Sequence, residues 1–277
     1  MPTDDAYPPP PPMDFEEDGL DETRAPLLAH LAELRSRLLK VMFGMVLAFA
    51  VAWYFADTIF MILANPYVVV QKSLGAENVR MIYTGLHEKF VVDIKVALYA
   101  AFMVSFPWMA LQLWKFVAPG LYKNERQAFV PFLWATPLLF AAGAALAYFV
   151  VVPWAWEFLL SFQQIDSGGS FTIEAEAKVN EYLALIMKLI FAFGFSFLMP
   201  VALTLMGRAG IISAQALREK RRYAIVGAFL MAAILTPPDP LSQIALGIPI
   251  LLLYEVSIVL IAMTEKKRKK EQAKTPE

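Results

Sequence analysis

Four long apolar runs divide the chain, at roughly 40–63, 96–118, 128–156 and 182–206. About 20 apolar residues cross a hydrocarbon core as a helix, so each run predicts a membrane span. Two shorter runs follow. Residues 223–235 give thirteen apolar positions between Arg221-Arg222 and Thr236-Pro237-Pro238-Asp239-Pro240, and residues 241–263 are interrupted by Gln243, Pro249 and Glu255. Thirteen helical residues rise only about 20 Å, too little to cross alone. A Pro-rich turn between the two runs, with a basic cluster on each outer flank, predicts a short helical hairpin. The pattern reads as an all-α integral membrane protein with six transmembrane helices, the last two short.

Just ahead of the first run, Leu27, Leu31, Leu34 and Leu38 form one apolar stripe at helical spacing. His30, Glu33 and Arg37 lie off that stripe, so residues 27–40 predict an interfacial helix that continues into the first span. Pro107, Pro137, Pro200 and Pro249 fall inside runs, where a missing amide predicts kinks. Trp114, Trp154 and Trp156 fall at run boundaries, where amphipathic rings collect, and Trp108 and Trp134 fall deeper and read as packing residues. No internal repeat is visible.

Basic residues set the orientation. With a cytoplasmic N-terminus, 18 Lys and Arg fall on the inner side, the tail cluster Lys266–Lys270 among them, and six on the outer side (Lys72, Arg80, Lys89, Lys95, Lys178 and Lys188). Both termini are therefore expected in the cytoplasm. Composition agrees: 58% hydrophobic and 18% charged, against about 45–50% and 25% in soluble domains. A net charge of −1 conceals a split, since residues 1–25 carry eight acids against Arg24 alone. Acidic, with the run Pro8–Pro12, residues 1–25 read as a disordered cytoplasmic leader. A targeting peptide would be basic at its start, so an uncleaved N-terminus is expected. Residues 26–264 then form the membrane domain and 265–277 a basic cytoplasmic tail, which suits anionic lipid better than nucleic acid. Zero Cys and two His exclude thiol chemistry, zinc ribbons and a histidine metal site, and no nucleotide loop or catalytic triad occurs. No cofactor is expected.

Few polar residues remain as candidates. Glu33 has an i+4 partner in Arg37, so a simple helix-surface pair is one reading and a recognition carboxylate another. Glu125 follows the turn Pro119-Gly120, where it either caps the next helix or faces a ligand. Glu255 sits within the final apolar run, where an acid costs roughly 2.5–3.5 kcal/mol on insertion scales. It is either functional or protonated and hydrogen-bonded inside the protein. Gln243, just past the Pro-rich turn, is able to satisfy backbone groups freed there.

Three stretches carry a resemblance. His30-Leu31-Ala32-Glu33-Leu34-Arg35-Ser36-Arg37-Leu38, the loop Phe116 to Arg126, and Leu235-Thr236-Pro237-Pro238-Asp239-Pro240-Leu241-Ser242-Gln243 resemble, in order, the amino-terminal signature, first cytoplasmic loop and last outer turn of the TatC family. That family supplies the multi-spanning subunit of the twin-arginine protein translocase. The resemblance covers about 26–264. It implies a receptor for twin-arginine signal peptides and the core of a translocase that moves folded proteins across the bacterial inner membrane on the proton-motive force. It implies that Glu33, Phe116 and Glu125 bind the signal peptide and that Gln243 contacts a partner helix. Glu255 matches a recurring acid of the last helix, and Pro66 the first outer-loop proline. Small single-span subunits, an oligomeric assembly and the bilayer are the implied partners, without nucleic acid. One position departs: before Pro200 the family commonly has an acid or amide, and here stands Leu198.

A proton-coupled small-solute transporter built on Glu255 is the alternative. It should carry several mid-membrane charges, commonly in a repeat, and only Glu255 clearly qualifies. An intramembrane protease would need a dyad or metal site that the runs do not contain. The expectation is a transport protein rather than an enzyme.

Overall fold

A computed structural model describes residues 18–76, 78–117, 126–163, 175–235 and 240–272. Its helices are α1 (Asp18–Tyr54), α2 (Ala56–Ser73), α3 (Glu88–Val117), α4 (Arg126–Leu146), α5 (Val152–Leu160), α6 (Val179–Ser196), α7 (Met199–Arg208), α8 (Ala214–Glu219), α9 (Arg221–Leu235) and α10 (Pro240–Gln272). Two short strands, β1 (Met81–Ile82) and β2 (Ala177–Lys178), pair in parallel, Met81 opposite Ala177. Among the described residues, five helical stretches are long and apolar enough to cross a membrane: His30–Tyr54, Glu88–Phe116, Pro131–Leu160, Val179–Arg208 and Gln243–Lys267. With 15 residues, α9 is shorter than these and packs beside α10 as the hairpin partner expected. α1 begins at Asp18, inside the stretch 1–25 read as leader, and residues 1–17 lie outside the described set.

The run 40–63 is not one helix. α1 stops at Tyr54 and α2 starts at Ala56, with Asp57 in its first turn paired to Lys89 at 2.8 Å. Apolarity alone carries no mark of a change in direction, and Asp57 was the only polar sign of it. α2 buries one face, through Leu63, Ala64, Pro66, Tyr67 and Val70. Pro66, expected in an outer loop, lies inside this helix and has no amide to offer the Ile62 carbonyl four residues earlier. The Tyr148 hydroxyl donates to that carbonyl instead, at 2.7 Å, and Tyr182 donates to the next one, Leu63, at 2.7 Å.

Two of the other long runs are interrupted close to a proline, whereas α3 continues unbroken through Pro107. A π-helical turn, Ala147–Val151, joins α4 to α5 just before Pro153. Between α6 and α7 the helix breaks at Phe197 and Leu198, with Pro200 in the first turn of α7. Leu198 packs against the cluster of Phe106, Ala110 and Phe140. The departure from the family pattern therefore falls at a helix break lined by aromatic rings.

The core has two kinds of seam. Large side chains meet where α2, α3, α5 and α6 converge: Tyr67, Trp156 and Tyr182 stand 5.0–6.2 Å apart by ring centroid, above Val92, Leu183 and Ile186. Such ring pairs add about 0.5–1.5 kcal/mol each beyond burial. Small residues serve where backbones approach. Ala52 of α1 meets Ala97, Ala100 and Ala101 of α3. A Cβ on Gly143 would come within 2.6 Å of the Phe193 carbonyl oxygen, and one on Gly194 within 2.6 Å of the Phe140 ring. α4 and α6 thus pack through two glycines. Trp134 is 73% exposed and presents its ring outward, where a packing role had been expected.

Gly143→Ala is expected to lower the thermal midpoint of the detergent-purified protein, at a cost of about 1–3 kcal/mol from overpacking against backbone. Gly227→Ala, where an added Cβ meets nothing within 4 Å, should leave the midpoint unchanged or slightly raised. Tyr148→Phe should lower it by the equivalent of about 1 kcal/mol, because the Ile62 carbonyl loses the donor that stands in for the missing Pro66 amide. A scanning fluorescence melt of the three variants beside the parent checks all of this.

Candidate functional site

The N-terminal half of α1 and the C-terminal end of α3 run side by side. Helical spacing brings His30, Glu33 and Arg37 along one side of α1, and Trp108, Gln112 and Phe116 along one side of α3. The two sides meet in three steps. His30 stacks on Phe116 with ring centroids 4.4 Å apart and planes 23° from parallel. Arg37 donates from Nη1 to Gln112 Oε1 at 3.3 Å. Trp108 donates from its indole nitrogen to the Lys40 carbonyl at 3.1 Å. The last contact needs Gly44, because a Cβ there would lie 2.9 Å from the Trp108 ring.

Glu33 stands in the middle of this arrangement and is half-buried. Its Oε1 accepts from Arg37 Nη2 at 2.9 Å, so the surface pair that spacing predicts is formed. Arg37 is divided: one nitrogen holds Glu33 and the other holds the buried Gln112. The carboxylate is thereby fixed through one oxygen. Oε2 has no hydrogen-bond partner among the described residues and is able to accept from an incoming donor.

Phe116 closes the same patch at the end of α3. Glu125 lies outside the described residues, nine positions further along. The structure therefore joins Glu33 and Phe116, and leaves Glu125 without a description.

Gln243 and Glu255 belong to another part of the molecule, the α9–α10 hairpin. Gln243 Nε2 donates to the Phe229 carbonyl of α9 at 3.2 Å, the backbone-satisfying role its position allows. One turn on, Gly247 accommodates the Phe229 ring, to which an added Cβ would come within 3.0 Å. Glu255 Oε2 accepts from Arg221 Nη2 at 2.6 Å, both side chains about half exposed. The pair ties α10 to the first turn of α9. No hydrogen bond or ion pair among the described residues joins this hairpin to the Glu33 patch.

Two contributors escaped the sequence reading. Gln112 carries a signal in retrospect, as a lone amide inside the apolar run 96–118. Lys188 of α6, counted above only among the outer-side cations, donates from Nζ at 2.5 Å to the Ile234 carbonyl in the last turn of α9. That carbonyl has no intrahelical partner, so a cation there satisfies it and favours the helix end electrostatically. Behind the hairpin, the Tyr254 hydroxyl donates to the Leu217 carbonyl at 2.7 Å and Glu265 accepts from the Ala214 amide at 3.0 Å, fastening α8 to α10.

Comparison with known proteins agrees with this architecture. The family model for TatC, described as Sec-independent protein translocase protein, matches residues 29–249. The Sec-independent protein translocase protein TatC of Magnetococcus marinus is 46% identical over 252 residues, which cover 91% of this chain and 89% of that one. Its counterpart in Escherichia coli K12 is 39% identical over 237 residues, covering 86% and 88%. A crystal structure described as the twin arginine translocase receptor TatC matches with a TM-score of 0.70 and 36% identity, over 84% of this chain and 98% of that one. These relatives are named as components of a protein translocase, a transport role carried by a helical membrane protein. By sequence, fold and the order of its motifs, the chain belongs to the TatC family of Sec-independent protein translocase proteins.

Proposed function

We propose that this chain is the receptor for signal peptides bearing two consecutive arginines, and the core subunit of an assembly that exports folded proteins on the proton-motive force. The observation that carries the reading is the stack of His30 on Phe116. Through it the amino-terminal signature and the start of the first loop become one patch, with Glu33 between them. Arg offers a planar fork of donors that a carboxylate accepts in pairs, which an ammonium cannot reproduce. Glu33, held by Arg37 through one oxygen, keeps the other for such a donor. Glu125 supplies the second carboxylate, nine residues beyond Phe116. The description of the solved neighbour as a receptor supports the same reading.

In this reading the chain crosses the bacterial inner membrane six times, α9 making the short fifth crossing. Both termini are cytoplasmic, as the Lys and Arg distribution requires. Residues 1–25 are the acidic leader, 26–264 the membrane domain and 265–277 the basic tail. Single-span partner subunits dock on the hairpin, where the oxygen of the Gln243 amide has no hydrogen-bond donor among the described residues, and several copies of the chain assemble together. Glu255 is the membrane-embedded acid, hydrogen-bonded to Arg221.

Binding of a twin-arginine signal peptide and its Lys-Lys counterpart to the purified protein, by fluorescence anisotropy in detergent, tests the reading. The parent should favour Arg-Arg. Glu33→Gln and Glu125→Gln should each weaken the Arg-Arg peptide about tenfold or more, since a hydrogen bond to a charged group contributes about 1.5–3 kcal/mol, and should leave the Lys-Lys peptide nearly unchanged. Phe116→Ala should weaken both peptides. An Arg-Arg preference that survives in both glutamate variants would remove the proposal.

A further inference from the structure

On the face of α1 and α3 away from the Glu33 carboxylate lies an open groove of about 870 Å³. Leu39, Phe43 and Trp108 form its apolar wall, and Arg35, Ser36 and Lys40 its polar mouth. The wall is fixed. Trp108 spends its one donor on the Lys40 carbonyl, so the indole turns an apolar surface to the groove, seated on Gly44. The mouth is unneutralised. Arg37, the neighbouring cation, is taken up by Glu33 and Gln112, whereas Arg35 and Lys40 have no acidic partner among the described residues. Five positions separate Arg35 from Lys40, a rise of about 7.5 Å. Two cations therefore flank the middle of the groove, with Leu31 and Ala32 before them and Phe43 and Trp108 on the side toward the interior of the span.

We propose that this groove is a binding site for an anionic phospholipid of the leaflet that α1 enters. Its phosphate accepts from Arg35, Lys40 and the Ser36 hydroxyl, and one acyl chain lies over Leu39, Phe43 and Trp108. Basic residues that have no acidic partner among the described residues attract anionic headgroups at a membrane surface. Charge decides between occupants. A cationic peptide is repelled by the pair that attracts a phosphate, and the groove meets the Glu33 seam only where Trp108 and Lys40 contribute to both. The site rests on the reading that the N-terminal end of α1 lies at the membrane surface; the receptor role does not enter.

The test uses the full chain in nanodiscs of equimolar phosphatidylglycerol and phosphatidylcholine, with retained lipid counted by native mass spectrometry. The parent should retain phosphatidylglycerol over phosphatidylcholine by roughly tenfold, as two basic contacts predict. Arg35→Gln/Lys40→Gln should approach parity, while Arg218→Gln/Lys220→Gln, which removes two exposed cations elsewhere, should keep the preference. In a second measurement, phosphatidylglycerol brominated on its acyl chain should quench a share of the tryptophan fluorescence that Trp108→Phe abolishes. The phosphatidylcholine analogue should quench no such share. Parity in the parent, or a preference that persists in Arg35→Gln/Lys40→Gln, overturns the site. So does displacement of the brominated lipid by a twin-arginine peptide, which would make the groove a peptide surface. Because the chain has no cysteine, Thr23→Cys gives a single label. Its modification by an impermeant reagent only from outside the cell would remove the topological reading while leaving the lipid measurement intact.

Discussion

A chain immersed in hydrocarbon must satisfy its backbone polar groups without water, and the contacts between helices in this molecule follow from that constraint. Tyr148 reaches the Ile62 carbonyl, Tyr182 Leu63, Trp108 Lys40, Lys188 Ile234, Gln243 Phe229 and Tyr254 Leu217. In each case a side chain of one element donates to a backbone carbonyl of another. The acceptors lie beside prolines, at helix ends or where a glycine lets a ring approach. Proline creates the vacancy at Ile62, and a helix terminus creates the one at Ile234. The fold is therefore more specific than its alanine and glycine seams alone would make it, because these donors select which helix packs where.

The Glu33 patch uses the same economy with charges. Arg37 spans a carboxylate and an amide, and in doing so it fixes the Glu33 side chain and the distance between α1 and α3 at that level. A half-buried carboxylate held by one oxygen loses little further freedom when a ligand engages the other. The pair that would ordinarily be taken as a surface decoration worth a few tenths of a kcal/mol is tied to a buried group, Gln112, and acquires a positional role from it.

Much of this was legible in the sequence, and the exceptions have physical causes. Apolar runs marked the helices, and the off-stripe residues His30, Glu33 and Arg37 marked the face that meets α3. Pro200 marked one break, and the Pro-rich stretch of sequence after Leu235 marked the division between α9 and α10. Hydrophobicity has no direction, however, so the run 40–63 hid the turn at Phe55, and Pro66 read as loop although a tyrosine distant in sequence makes it tolerable within α2. Lys188 looked like an outer-side cation only, because its acceptor, a carbonyl of α9, has no side-chain signature at all. Gln112 was hidden among apolar neighbours, and only the approach of α1 gives its amide a purpose. Partners that are backbone atoms are invisible to a reading of side chains.

Pairing of β1 with β2 makes a closed ring of the chain between them. From Met81 the backbone runs through α3, α4, α5 and the segment after it to Ala177, where hydrogen bonds join it to its own start. α1 stands outside the ring, seated on α3 by alanines, two side-chain hydrogen bonds and one pair of stacked rings. The helix bearing Glu33 is thus joined to the ring chiefly through one neighbour, so that the placement of this carboxylate is set by the α1–α3 seam and not by the pairing that closes the ring.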